Sequence, residues 1–314
     1  MYLMKLNLLS VGTDAKTVKG EKFGYFTGIL YLAPANEAGF GNLCPNASAG
    51  CLASCLYTAG RGAMSNVKDA RIRKTRLFFS DKPKFIDTIF KDINNLIKSG
   101  LKEEKKVCVR LNGTSDVPWE RLGIFDKFSQ IQFYDYTKSL SRAIEFANGN
   151  MPKNYHLTFS RSESNETSAL QVLQAGGNVA AVFSGGLPKT WKGYTVIDGD
   201  ESDLRFNDGK NVVVGLKAKG KGKKDTSGFV IPAWHFYKKP DRVFNMTKQE
   251  IKTSRKEVQK LIKKNKKELL GRIKKDYPKL IRLIKNNFDV DSNNLLDADF
   301  YEQIEHCLTI YTRR

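Results

Sequence analysis

Between residues 23 and 236 short apolar runs alternate with helix-like stretches, and each run is closed by a polar turn. The runs read as strands: Gly24–Leu32, Val107–Leu111, Ile131–Asp135, Tyr155–Phe159, Val179–Phe183, Tyr194–Asp198 and Val212–Leu216. Several are apolar throughout, as parallel strands covered on both faces are. Amphipathic helices are expected over Val67–Phe79, Lys84–Lys98, Ser139–Ala147 and Asn165–Ala175. Alternating strands and helices imply a parallel sheet, either open and doubly wound or closed as a barrel.

The polar residues after the strands choose between these. Arg110, Asn112, Thr114, Ser115 and Asp116 follow the second strand, and Asp135, Thr137 and Lys138 the third. Ser160, Arg161, Ser162 and Glu163 follow the fourth, Asp198, Asp200 and Asp203 the sixth, Lys217 and Lys219 the seventh. Charged groups at many strand ends converge when the βα loops share one face of a barrel. In an open sheet the site sits at one switch point. The expectation is a full or partial (β/α) TIM-like barrel over residues 1–237. Arg110, Asn112, Asp116, Asp135, Arg161 and Asp198 should then line one cavity. Asp116, Asp135, Arg161 and Asp198 are the candidate catalytic groups.

The character changes after residue 238. Lysines dominate as far as Lys285, while Ile251, Val258, Leu261, Ile262, Leu269, Leu270 and Ile273 recur at helical spacing. A basic helical extension over 238–314 is expected, broken near Pro278. With 53 Lys and Arg against 33 Asp and Glu, the chain carries +20 at neutral pH. Such an excess favours a polyanionic partner, usually nucleic acid, and Lys256, Lys260, Lys263 and Lys267 are candidate phosphate contacts. A solvated helical appendage is the alternative. The glycine-rich loop Lys217–Asp225 is basic without being a Walker motif. Phosphate contact and simple mobility are both open to it.

No apolar run reaches the length of a membrane span, and the N-terminus lacks the pattern of a signal peptide. Five cysteines, with Cys108 and Cys307 isolated, suit a reducing compartment, so a cytoplasmic protein is expected.

The other three cysteines fall within twelve residues. Cys44, Cys51 and Cys55 are spaced C-x6-C-x3-C after the first strand. Clustered thiolates select zinc or an iron–sulfur centre. Structural zinc normally takes four ligands, and no fourth cysteine or histidine is near in sequence. A [4Fe–4S] cluster on three cysteines leaves one iron open. Free cysteines that only pack are the third reading.

Three segments carry a resemblance: Leu43-Cys-Pro through Cys55-Leu-Tyr-Thr-Ala-Gly-Arg61, Arg110-Leu-Asn-Gly-Thr-Ser-Asp116, and Val196-Ile-Asp-Gly-Asp-Glu-Ser-Asp203. The chain resembles the bacteriophage gene product 88-like family over about residues 5–236. That family is in turn similar to radical S-adenosylmethionine (SAM) enzymes. The resemblance implies a partial barrel whose Cys44, Cys51 and Cys55 hold a [4Fe–4S] cluster, with SAM on the open iron, cleaved by electron transfer to a 5′-deoxyadenosyl radical. Asn112, Gly113, Thr114 and Asp116 then stand where the SAM amino group is held. Ser160 and Arg161 face its ribose or carboxylate, and Tyr57 lies just beyond the third cysteine. The spacing departs from the usual C-x3-C-x2-C of those enzymes, and Ser54 stands where they carry an aromatic residue.

Two other chemistries compete with this one. A nicking initiator of replication needs paired metal-binding histidines, and His156, His235 and His306 are far apart. A DNA-binding, replication-associated protein with a structural metal remains as the alternative. Asp198, Asp200, Glu201 and Asp203 could hold Mg2+ for phosphodiester cleavage, or else cap and pair with Arg161, Arg205 or the lysine loop. His156, within an apolar strand, is expected to be a hydrogen-bonded core residue.

Overall fold

The computed structural model describes residues 7–12 and 15–232. The expected basic extension, with Lys256, Lys260, Lys263 and Lys267, lies outside the described residues, as does Cys307. The chain divides into two units, Met1–Ile231 and Pro232–Arg314.

All seven expected strands form, and they make the parallel body of a ten-stranded sheet. These are β2 (Tyr25–Leu30), β3 (Lys106–Arg110), β4 (Gln132–Thr137), β5 (Tyr155–Ser160), β6 (Val179–Ser184), β8 (Tyr194–Asp198) and β9 (Val213–Lys217). From β2 to β6 each strand pairs in parallel with the next in chain order. Then β9 pairs β6, and β8 pairs β9, also in parallel. Short antiparallel strands border this body: β1 (Leu9–Val11) on β2 and β7 (Thr190–Trp191) on β8. A tenth strand, β10 (Val230–Pro232), pairs β6 off the main path. The fold is thus α/β with a mostly parallel sheet. Among the described residues the hydrogen-bonded path runs from β1 to β7 without closing.

The helices are α1 (Ala15–Glu21), α2 (Ala49–Ala53), α3 (Ser65–Ser80), α4 (Lys82–Lys102), α5 (Ile124–Lys127), α6 (Leu140–Ala147) and α7 (Glu166–Gln174). The longest, α4, shows how sequence sets the packing. Asp81 caps it by accepting from the Lys84 amide at 3.0 Å, and Pro83 stands in the first turn. Phe85, Ile89, Ile93 and Leu96 then return at intervals of three and four and are fully buried. Each such side chain contributes about 1.5–3 kcal/mol relative to exposure. They join Leu30, Val109, Leu111, Trp119, Phe125, Phe133, Tyr155 and Leu157 in one apolar core on that face of the sheet.

The other face is different. Side chains alternate across a strand, so Cys108 and Tyr134 point away from that core and join Leu204 in a small cluster. Thr27 bonds Cys108 there at 3.3 Å, and Arg110 lies over the Tyr136 ring. One face is therefore aliphatic and aromatic, while the opposite one carries hydroxyls and charge.

Neither edge strand was legible locally. The Asp92 carboxylate of α4 accepts from the amides of Leu8 and Leu9 at 2.6 and 3.0 Å, and Lys74 of α3 donates to the Leu8 carbonyl at 2.6 Å. β1 is held by partners far away in the chain rather than by its own pattern.

Candidate functional site

The three cysteines occupy a loop laid over the C-terminal ends of β3, β4 and β5. Leu43 anchors its start, with its carbonyl accepting from the Asp116 amide at 2.8 Å. The Cys44 thiol faces the Thr114 carbonyl at 3.7 Å. Ser48 caps α2 by accepting from the Cys51 amide at 3.2 Å. Glu163, just after β5, accepts from the Ser48 hydroxyl and the Gly50 amide, both at 2.7 Å. A Cβ on Gly50 would strike Ser227 Oγ and come within 2.8 Å of Glu163 Oε2, so only glycine allows this approach.

All three thiols are half-buried and free. They lie within electrostatic range of one another: Cys44 feels Cys55 and Cys51, and Cys55 feels Cys51. Burial pushes every one of them up, Cys44 to about 11. A different donor opposes this at each sulfur. The opposing group is the Ala35 amide at Cys44, Lys138 at Cys51 and the Tyr57 amide at Cys55. Among the described residues, no three His, Cys, Asp or Glu side chains converge closely enough to hold a single metal ion.

Lys138 is the central cation of this region, and sequence reasoning did not place it in the site. Its ammonium donates to Ser160 Oγ at 2.8 Å and to the Ser160 carbonyl at 3.2 Å. Its backbone amide donates to Asp116 at 2.8 Å. Burial lowers its pKa, against the opposing pull of Cys51, Asp116, Glu163 and Cys44. Glu163 was also missed as a site residue. The signal for both was position alone, since each lies within three residues of a strand end.

The other expected site residues divide into groups. Asp116 reaches the cysteines electrostatically, but Arg142 holds its carboxylate at 2.5 Å. Asn112 is a buried hub. Its Oδ1 accepts from Ser115, the Val117 amide and Trp119 Nε1, and its Nδ2 donates to the Val117 carbonyl. Gly113 donates to the Leu30 carbonyl, and a Cβ there would meet Tyr31. Thr114 donates to the Leu32 carbonyl at 2.5 Å. Tyr57 is buried beside Arg71 and Lys68, with its phenol pushed up by burial.

Arg161 donates to the carbonyls of Gly228 and Phe229 at 2.6 and 3.0 Å, so it braces the loop before β10. Asp135 alternates with Tyr134 and Tyr136 along β4 and turns to the apolar side, near Tyr155 and the Asn112 amide. Arg110 lies with Tyr136 and Asp203 on the opposite side. The two do not share one cavity, because adjacent strand positions face opposite ways.

The acidic group near β8 also separates. Asp198 pairs with Lys217 at 3.2 Å, and Asp200 pairs with Lys219 and accepts from the Lys217 amide. Asp203 instead binds Arg110 at 3.0 Å. This is the ion-paired arrangement, with both Asp198 and Asp200 engaged by the lysine loop. His156 is half-buried, and its pKa is lowered to about 4, by desolvation first and Arg205 second. Its Nε2 has no hydrogen-bond partner, which corrects the expected bonded core histidine.

No helix among the described residues is long and apolar enough to cross a membrane. Comparison with curated proteins and with solved structures finds no match. The family model described as gene product 88 matches residues 7–233, which takes in the cysteine loop and every strand of the sheet. The chain belongs to the gene product 88 family.

Proposed function

We propose that this protein is a radical-SAM-like iron–sulfur enzyme that acts on or near nucleic acid, with Cys44, Cys51 and Cys55 as the ligands of a [4Fe–4S] cluster. One observation carries the reading. Three thiols of one loop lie within electrostatic range of one another at the strand ends, and a nearby N–H group opposes the effect of burial at each. Hydrogen bonds to sulfur are among the means by which proteins stabilise and tune such clusters.

The chain-order run of parallel strands from β2 to β6 supports a partial barrel, because a doubly wound sheet reverses its order at a switch point. The polar face with Arg110, Tyr136 and Thr158 is then the inner one.

When bound, the cluster supplies the electron for reductive cleavage of SAM. The chain's own groups would do the rest. Lys138 sets a positive charge beside Cys51 and holds Ser160 in place. The Thr114 carbonyl, next to Cys44, is available to a cofactor amino group, with Asn112 and Gly113 fixing the turn that presents it. Asp116, ion-paired with Arg142, balances Lys138. The charge of +20 supports a nucleic-acid partner. The test is incubation of anaerobic protein with SAM and a strong reductant. The expected product is 5′-deoxyadenosine, absent in Cys51→Ala; no product from iron-loaded protein would reject the SAM chemistry.

A further inference from the structure

The basic turn Gly220–Lys224 packs directly on the cysteine loop. A Cβ on Gly220, whose φ is +54°, would stand 2.6 Å from Ala59 Cβ, and one on Gly222 would stand 3.5 Å from Ser54 Cβ. The bare backbone lets the turn close on the segment that carries Cys55. The turn is therefore a docked element with a fixed place beside the thiols.

Its charge is unevenly used. Lys217 and Lys219, just before it, are neutralised by Asp198 and Asp200. Lys221, Lys223 and Lys224 are exposed and pair with no carboxylate among the described residues. The nearest acid in sequence, Asp225, is occupied by the Ser227 hydroxyl and the Val230 amide. In a 3-10 turn, residues three apart are eclipsed, so Lys221 and Lys224 share one edge about 6 Å apart along its axis. Neighbouring phosphates along a strand repeat on this scale, so that edge can meet about two of them. Leu52 and Leu56, each 46% exposed, flank Cys55 in the loop that the turn covers.

We propose that the Gly220–Lys224 turn is a phosphate-backbone contact that seats single-stranded nucleic acid against the cysteine loop. A single strand leaves its bases unpaired and free to make apolar contact with Leu52 and Leu56, whereas a duplex keeps its bases paired inside. An anionic membrane fits less well. Leu52 lies on a five-residue helix and Leu56 on a three-residue turn, and neither is an amphipathic helix able to lie in the interface. The proposal builds on the nucleic-acid part of the function proposed above and is independent of the cluster.

The test uses the full chain, a labelled single-stranded oligonucleotide and a salt series read by fluorescence anisotropy. The wild type should bind, and the triple change Lys221→Gln, Lys223→Gln and Lys224→Gln should flatten the log–log salt slope by about 1.4–2, at ~0.7 per phosphate contact on a single strand. Lys224→Gln alone should flatten it by about 0.7, and the triple change to Arg should keep the wild-type slope. Lys91→Gln, Lys98→Gln and Lys102→Gln on α4 remove the same charge elsewhere and should leave the slope unchanged. Iron content is measured on each variant, so loss of binding and loss of metal are separate results. Equal flattening by the turn and α4 variants would overturn the proposal. So would wild-type binding to anionic phospholipid vesicles with none to the oligonucleotide, or no binding at low salt.

Discussion

The Glu163 carboxylate accepts a 2.7 Å hydrogen bond from the Gly50 amide, joining the loop after β5 to the short helix that carries Cys51. Its second oxygen accepts from the Ser48 hydroxyl at the same distance. A single strand-end residue thereby orients the middle cysteine.

Glu163→Ala should release that helix. Hydrogen bonds to charged groups are worth roughly 1.5–3 kcal/mol, and partial exposure here reduces the expected loss to about 1–2 kcal/mol. Denaturant unfolding measures the loss, and faster labelling of Cys51 by a thiol reagent reports the freed loop. Burial pushes the Glu163 carboxyl up, but the bonds from Ser48 and Gly50 outweigh it and hold the group below its usual value. The tether's contribution is therefore complete at neutral pH and lost only as pH falls through that depressed value. Unchanged Cys51 labelling in the variant would show that the helix is held by something else.

Asp135 should make the fold less stable as pH rises from about 4 to about 7. Burial raises its carboxyl to about 7, against the lowering effects of the Asn112 amide, Arg110 and Arg142. The folded state thus binds a proton that the unfolded state has already released. Stability falls with pH across that window by up to about 1.4 kcal/mol per unit and is level above it. Asp135→Asn mimics the protonated form and should flatten the slope. An identical pH profile in the variant would mean that Asp135 does not carry it.

Arg142 gathers a buried network: Asp116 at 2.5 Å, Glu120 at 2.7 Å, with Thr137 and Tyr155. Removing one partner of a buried ion pair leaves a charge without compensation and costs about 3–5 kcal/mol. Arg142→Met should lose that much in denaturant unfolding. Asp116→Asn should lose less, because the amide oxygen still accepts from Lys138 or Arg142. If both variants lose under about 1 kcal/mol, the network is not a structural support of the strand ends.

The parallel body of the fold was legible because its strands are short runs rich in apolar residues, several of them apolar throughout, and each is bounded by a polar turn. Strand ends were legible for the same reason, and they led to Asp116, Ser160 and Arg161. What pattern cannot give is the direction in which a strand-end side chain turns. Asp135 and Arg110 looked alike in sequence, yet alternation sends one into the apolar core and the other to the polar face. The cysteines announced themselves by density. Lys138 and Glu163 did not, since a lysine or glutamate in a loop is ordinary until the fold sets it beside a thiol or a helix end. Asp198 and Asp200 resembled metal ligands because their partners, Lys217 and Lys219, lie on another strand's exit.

The central claim is that Cys44, Cys51 and Cys55 hold one iron–sulfur cluster. Purification without oxygen, followed by iron, sulfide and zinc analysis with a visible spectrum, tests it directly. About four irons and a matching amount of sulfide per chain are expected, with the broad absorption of thiolate-bound clusters, and Cys51→Ala should abolish them. One zinc per chain without iron, or iron retained undiminished in Cys51→Ala, would contradict it.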